Sequence, residues 1–286
     1  MSKSYEEIVS LVRDTLVEAG STFRQDKKNA YQRAAAAETN EKAKWVLETV
    51  LENAEAAEQN RSPLCDDSGI PHLVLEIGED TPVTGKMLDA IREGIVEGLR
   101  KLPGRPMGIM GNDSQRIDQS GGLNPDSAGV EPAPILLRRC KENVIRLHIL
   151  MFGGGPAIRA KTYRVFHKHD TQVVLDEIVN WSKEAVSQLG CSPCTLAVGV
   201  GRSHFEAASM MLQAQTDGCY DVQSEMEQEI TRRVNEANIG PLGLGGKTSV
   251  IATFMKVGPQ RASGVRIVCV RPCCCFEPRI ATVELG

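Results

Sequence analysis

Three stretches of this chain set cysteine in turn-forming sequence: Ser62-Pro-Leu-Cys-Asp-Asp-Ser-Gly69, Gly190-Cys-Ser-Pro-Cys194 and Arg271-Pro-Cys-Cys-Cys-Phe276. Thiolates are soft ligands, and three of them can hold a cubane iron–sulfur cluster while leaving a fourth iron open for chemistry. The first stretch adds two carboxylates, Asp66 and Asp67, directly after Cys65, which puts proton-transfer groups beside a soft ligand on one tight turn. Taken alone, that segment reads as an Asx turn with an incidental cysteine. The other two loops change the balance. By spacing, Cys191-Ser-Pro-Cys194 is half of a zinc knuckle, a redox pair or a source of cluster ligands. A zinc ribbon needs a second CxxC, and the remaining dense thiols are Cys269 and Cys273 to Cys275, so a cysteine-rich zinc site stands as the competing explanation. A thioredoxin-like site lacks the preceding βαβ unit.

Other residues bear on how a ligand would be held. Gly240-Pro-Leu-Gly-Leu-Gly-Gly-Lys-Thr248 approaches a phosphate loop, but Pro241 stands where GxxxxGK[ST] needs its first glycine, and the loop follows a helix. Nucleotide hydrolysis is therefore rejected, leaving a glycine-rich turn whose backbone N–H groups, with Lys247, can face a carboxylate or a cluster. Gly153-Gly-Gly-Pro156 is a second place for close backbone approach, through Gly154 and Gly155. Arg105, between Pro103-Gly104 and Pro106, is a rigidly mounted guanidinium able to grip a carboxylate in bidentate fashion. His167, His169, Glu225 and Glu227 read as solvated surface.

The elements that must position these loops follow from periodicity. Tyr5 to Asn60 is helical, in two or three segments, with Ile8, Leu11, Val12, Leu16 and Val17 on one stripe and Trp45, Val46, Val50 and Leu51 on another. His72 to Ile77 alternates as a strand, Val83 to Leu102 is helical, and Gly104 to Pro134 is a long structureless segment of the kind that usually carries function. Ile135 to Leu137 and Val144 to Met151 predict a hairpin about Lys141-Glu-Asn143. Helices are expected over Thr171 to Leu189, Ser203 to Gln215 and Asp221 to Asn238, and strands over Thr195 to Val200, Ser249 to Val257 and Gly264 to Val270. Helices and strands mix without regular alternation, and no repeat or linker divides them. The expectation is an α+β fold, a mixed or antiparallel sheet flanked by helices, forming one domain over residues 1–286 with residues 1–60 as an N-terminal helical annex.

Composition sets the outer limits. With 286 residues, 41% of them apolar, the chain can bury a substantial core. A net charge of -4, scattered basic residues and only 4% aromatics argue against nucleic acid as a partner. The longest apolar stretch, Val144 to Phe152, contains Arg146 and His148 and is too short to span a bilayer, and no signal-peptide pattern opens the chain, which points to the cytoplasm. Nine cysteines without an export signal favour metal, cluster or reactive-thiol chemistry over disulfides.

Together the motifs resemble those of the class I (iron–sulfur) fumarate hydratase and L-tartrate dehydratase family. Pro63-Leu-Cys-Asp-Asp-Ser-Gly69 resembles its PxCQDTG signature, Gly153-Gly-Gly155 its GGGSxN loop, Cys191-Ser-Pro-Cys194 its CPPC segment, Gly240 to Thr248 its GPxGLGGKT loop and Cys275-Phe-Glu-Pro-Arg279 its CWAxRR segment. The order holds from about Ser62 to Ala281. What the resemblance implies is an alpha subunit, or amino-terminal half, of a hydro-lyase that dehydrates a 2-hydroxy dicarboxylate, with a 4Fe-4S cluster on Cys65, Cys191 and Cys275. Asp67 would be the catalytic acid near the reacting hydroxyl, and Asp66, Arg105, Gly154, Gly155 and Lys247 would bind substrate. A beta subunit would supply the missing half-site and the general base, in a homo- or hetero-oligomer. The alternative is a non-catalytic, zinc- or thiol-stabilised interaction module. This chain departs from the family pattern in four places: Asp66 replaces a Gln, Phe152 stands where a Lys is common, Pro156 and Ile158 replace a Ser and an Asn, and Gln260-Arg261 replaces a His-Pro. Those changes leave the identity of the hydroxy acid open.

Overall fold

A computed structural model of the chain describes residues 3–102, 104–105 and 107–286. In chain order the elements are α1 (Tyr5–Ser21), α2 (Gln25–Ala37), α3 (Glu41–Asn60), β1 (Ile70–Ile77), α4 (Gly85–Lys101), α5 (Asp113–Asp118), β2 (Leu136–Arg139) and β3 (Ile145–Phe152). They continue with α6 (Gly154–Ala157), β4 (Lys161–Phe166), α7 (Thr171–Ser187), β5 (Cys194–Gly201), α8 (His204–Asp217), α9 (Glu225–Asn235), β6 (Val250–Val257), β7 (Val265–Cys273) and β8 (Ile280–Glu284). The fold is α+β, as the mixed periodicities predict, with two mixed sheets flanked by helices. The chain divides into two compact units. One takes the residues up to Thr22, Ala54–Gly153 and Arg279–Gly286; the other takes Phe23–Asn53 and Gly154–Pro278. The N-terminal helices are thus shared out, α1 to the first unit and α2 to the second, with α3 changing unit after Asn53. Among the described residues, no helix is long and apolar enough to cross a membrane.

The first unit is built on a sheet of order β2-β1-β3-β8. Helix α1 begins at a capping box in which Ser4 and Glu7 satisfy each other's backbone N–H groups. Its buried stripe, Ile8, Val12 and Leu16, packs on Ala90, Ile91, Ile95 and Leu99 of α4 and on Leu147 and Ile149 of β3. Gly94 allows the two helices to meet, since a Cβ there would lie 2.6 Å from that of Val12. Strand β1 is central and buried, and its Glu76 carboxylate accepts from Arg138 on β2 and Arg146 on β3 at 2.7 and 2.9 Å. The expected hairpin does not form. Leu136–Arg139 instead runs parallel to β1 on one edge while β3 pairs antiparallel on the other. The connection at residues 140–144 therefore steps over the end of β1, about 10 Å for two strand spacings. A short polar link between two apolar runs looks the same whether the strands pair directly or flank a third. The segment from Gly104 to Pro134 is also less irregular than expected. Asn112 and Gln115 form a capping box that starts α5, and Ser127–Val130 makes a 3-10 turn.

The second unit carries a sheet of order β4-β7-β5-β6. Every residue of β5 is buried, because helices cover both of its faces. Leu196, Val198 and Val200 join the core of Ile178 and Val179 from α7 and Ile230 and Val234 from α9. On its other residues β5 lies against α8, where Gly199 approaches the Ala207 carbonyl, and Thr195 bonds Tyr220 at 2.7 Å. Tyr220 in turn packs with Phe254 and with Ala30 of α2. Trp45, assigned by periodicity to the apolar stripe of α3, is 62% exposed, and the buried positions are Ala43, Val46, Leu47 and Val50. Val46 and Val50 are buried as expected, while Ala43 and Leu47 take the places on the buried face that the bulk of Trp45 and Leu51 had suggested for those residues.

Candidate active site

In the first unit the turn at residues 64–69 leads from α3 into β1. Leu64 is buried and its N–H donates to the Gly20 carbonyl at 2.9 Å, which pins the entry to the turn. Gly69 pins the exit: its φ is +88°, and a Cβ would stand 2.6 Å from the Phe152 backbone and 2.8 Å from a guanidinium nitrogen of Arg279. Between these anchors Cys65 is half-buried, with Sγ 3.4 Å from Asp66 Oδ1. The Asp66 carboxylate also accepts the Asp67 N–H at 3.0 Å and stands 3.2 Å from Arg105 Nη1, while the Arg105 N–H donates to the Asp66 carbonyl at 3.2 Å. The Cys65 hydrogen bond, and then the Arg105 charge, hold the Asp66 carboxyl below the usual carboxylate range. The extra acid of this chain is therefore a partnered carboxylate. Arg279, in β8's approach, donates to the Asp67 carbonyl at 2.8 Å and fixes that residue's backbone. The two prolines beside Arg105, Pro103 and Pro106, lie outside the described residues, so the rigid mount expected from them is not described.

In the second unit three of the sequence motifs come together. The Cys275 N–H donates to the Cys191 carbonyl at 2.9 Å, which ties the third cysteine loop to the CxxC loop. The glycine-rich loop docks on the same place: Ser192 Oγ donates to the Gly240 carbonyl at 2.6 Å, and the Leu242 N–H donates to the Ser192 carbonyl at 2.9 Å. Cys191 is exposed, whereas Cys194 is buried in β5. The triple cysteine separates into distinct environments. Cys273 Sγ sits in a buried network, 3.3 Å from Arg271 Nη1 and 3.4 Å from Gln215 Oε1, and the Arg271 guanidinium pairs with the buried Glu277 carboxylate. Burial pushes the Cys273 thiol up to about 12. The Cys275 thiol is pushed well up by the hydrogen bond it donates to Cys274, by burial and by the neighbouring Cys191. Lys247 has an N–H on Glu38 Oε2 at 2.7 Å and its ammonium on the Ala37 carbonyl at 3.0 Å, so it closes the loop onto the end of α2. Gly154 is exposed and opens the four-residue helix α6, with Gly155 next to it.

Sequence reasoning missed the face of α2 that holds the Cys275 loop. Tyr31 Oη donates to the Cys275 carbonyl at 2.6 Å, and Lys27 Nζ donates to the Glu277 carbonyl at 3.0 Å. The signal was present: Lys27 lies one turn before Tyr31 on the stripe that also carries Ala30, and a lysine on a buried stripe has a reason to be there. Among the described residues, no three His, Cys, Asp or Glu side chains stand together as a metal-binding group. By their chemistry, the thiols of Cys191 and Cys275, on loops bonded to each other, are soft donors that suit a thiophilic metal group. The Cys275 thiol is held protonated by its surroundings, so binding a metal there would release its proton.

A family model described as fumarate hydratase (Fumerase) matches residues 9–284. A protein of Methanocaldococcus jannaschii named putative L(+)-tartrate dehydratase subunit alpha is 24% identical over 285 residues, covering 96% of each chain. A putative fumarate hydratase class I of Geobacillus stearothermophilus is 24% identical over 274 residues, 90% of this chain and 50% of its own. The L(+)-tartrate dehydratase subunit alpha of Escherichia coli K12 is 21% identical over 243 residues, 83% of this chain and 78% of its own.

Proposed function

Because this chain belongs to the fumarate hydratase (Fumerase) family, we propose that it is the alpha subunit of a hydro-lyase that reversibly dehydrates a 2-hydroxy dicarboxylate of the malate or tartrate class. In this reading the 286 residues act as one functional domain, Cys65, Cys191 and Cys275 hold a 4Fe-4S cluster, and a beta subunit completes the site and provides the base. The observation that carries it is the backbone bond from Cys275 to Cys191, which brings two of the three assigned ligand loops into contact. The separation of Cys273 into a buried arginine network supports Cys275 as the third ligand. A cluster with one iron free of cysteine supplies a Lewis acid for a departing hydroxide.

The chain's own residues do the remaining work. Asp67, its backbone fixed by Arg279, hydrogen-bonds or protonates the leaving oxygen. Arg105 holds a substrate carboxylate with the guanidinium edge that Asp66 leaves open, since a guanidinium has five N–H donors. Asp66 sets the orientation of that guanidinium. The backbone at Gly154 and Gly155 lets the ligand approach closely, and Lys247 keeps the glycine-rich loop closed while adding positive charge for a dianion.

The test is an anaerobic assay of the chain, reconstituted with iron and sulfide and combined with its beta subunit, on malate, fumarate and tartrate. Water elimination from one of these supports the assignment, and Cys65→Ser should abolish it while leaving the fold intact. Full activity in Cys65→Ser, or a zinc-bound chain inert to all three acids, would refute it.

A further inference from the structure

Helix α2 aims two polar side chains, one turn apart, at the same buried loop. Tyr31 takes the carbonyl of Cys275 and Lys27 that of Glu277, and the aromatic rings of Phe23, Tyr31 and Phe276 close around them. Lys27 is 2% exposed, and its ammonium stands 4.1 Å from the centre of the Phe23 ring. The nearby carboxylate that would normally neutralise such a cation, Glu277, is already paired with the buried Arg271. Arg271 holds that carboxylate, and Lys27 is left with the Glu277 carbonyl and the face of the Phe23 ring. Burial pulls the Lys27 pKa down to about 8, and the carbonyl it grips belongs to Glu277, two residues after Cys275 in the loop that Tyr31 also holds. A methionine would fill the same space without a charge to desolvate. Among the described residues the Lys27 ammonium has no ion pair of its own, and thiols that lose their protons on binding metal would supply the missing negative charge.

We propose that Lys27 is a charge-compensating positioning residue, whose buried ammonium offsets the negative charge brought into the Cys273–Cys275 corner when Cys275 becomes a metal-bound thiolate. The proposal rests on the reading of Cys275 as a cluster ligand. It makes a prediction with opposite signs in the two states of the protein. Without metal the charge is a burden; with metal it is a partner.

The full-length chain and its Lys27→Gln, Lys27→Met and Tyr31→Phe variants are compared before and after anaerobic reconstitution. Three readouts are taken: the melting temperature of the metal-free form, the rate of iron loss to a chelator, and the midpoint potential of the cluster. Lys27→Gln retains a donor for the Glu277 carbonyl but not the charge, so both Lys27 variants should melt at or above the wild-type temperature when metal-free. Once loaded, they should lose iron roughly 10-fold faster, as outer-shell changes do, and their potential should move downward, because a nearby cation favours the more negative, reduced cluster. Tyr31→Phe, which removes a hydrogen bond and no charge, should keep the wild-type potential. A Lys27→Gln protein with wild-type potential and iron retention would overturn the proposal and reduce Lys27 to a hydrogen-bond donor. So would a loss of metal-free stability that parallels the loss of iron. Wild-type protein that takes up no iron and sulfide would instead overturn the functional reading beneath it.

Discussion

Asp66 is the residue at which this chain departs most pointedly from the motif it otherwise follows. Its carboxylate stands 3.2 Å from Arg105 and accepts the Asp67 N–H, so the added charge is matched and helps to shape the turn. Replacing it has a readable consequence. Asp66→Asn should free the Arg105 guanidinium and lower KM for a dicarboxylate, whereas Arg105→Met should raise KM roughly 10-fold or more, the equivalent of about 1.4 kcal/mol from a lost charge-assisted hydrogen bond. Steady-state kinetics on both variants decide the matter, and an unchanged KM in Arg105→Met would remove that residue from the substrate site. The cysteines give a second contrast. Cys275→Ser should lose most of the bound iron and Cys273→Ser should retain it, read by iron analysis after reconstitution; the reverse pattern would move the ligand to Cys273. The sequence offered three adjacent cysteines with no physical means of choosing among them. The choice depends on which sulfur meets Arg271, two residues earlier on β7, and Gln215, 58 residues away in sequence on α8.

At the scale of elements, the turn at residues 64–69 and the sheet of the first unit carry the testable energetics. Gly69→Ala would force a Cβ into the Phe152 backbone at a left-handed φ of +88°, and should destabilise the fold by about 1–3 kcal/mol in chemical denaturation. A variant as stable as the wild type would show that the turn relaxes freely. Glu76 is the second case. Burial raises its pKa, but the hydrogen bond and charge of Arg138, together with Arg146, outweigh burial and leave it below the usual carboxylate range. Such a group contributes its stability above its unfolded pKa, about 4.3, and loses it as pH falls through the lower folded value. Glu76→Gln should therefore cost about 3 kcal/mol at pH 7, and the gap should close in urea melts below about pH 4. A gap that persists in acid would assign the loss to packing. Strongly periodic elements such as α4 and β5 were legible from sequence, because their burial is set within one helix face or one strand. The pairing of β2 with β1 was not, because register between distant strands leaves no local mark. Strands β4 and β8 were missed for a related reason: β4 is mostly exposed and reads as charged surface, and β8 is only five residues long.

At the scale of the whole molecule, the proposed ligands fall on both compact units, Cys65 in the first and Cys191 and Cys275 in the second. The sequence showed three distant cysteine loops, and the α+β class was visible as mixed periodicity. The division into units was not, since residues 23–53 leave the first unit without any linker composition to announce it. If a beta subunit provides the base, the reconstituted chain alone should show no dehydration, and adding the partner should restore turnover in an anaerobic assay. Measurable turnover by the isolated chain would place the base within it. The most direct measurement is the metal and labile-sulfide content of the purified chain after anaerobic reconstitution. The account predicts about four irons and four sulfides per chain, the stoichiometry of a cubane cluster, falling sharply in Cys65→Ser, Cys191→Ser and Cys275→Ser. One zinc per chain and no labile sulfide would contradict it.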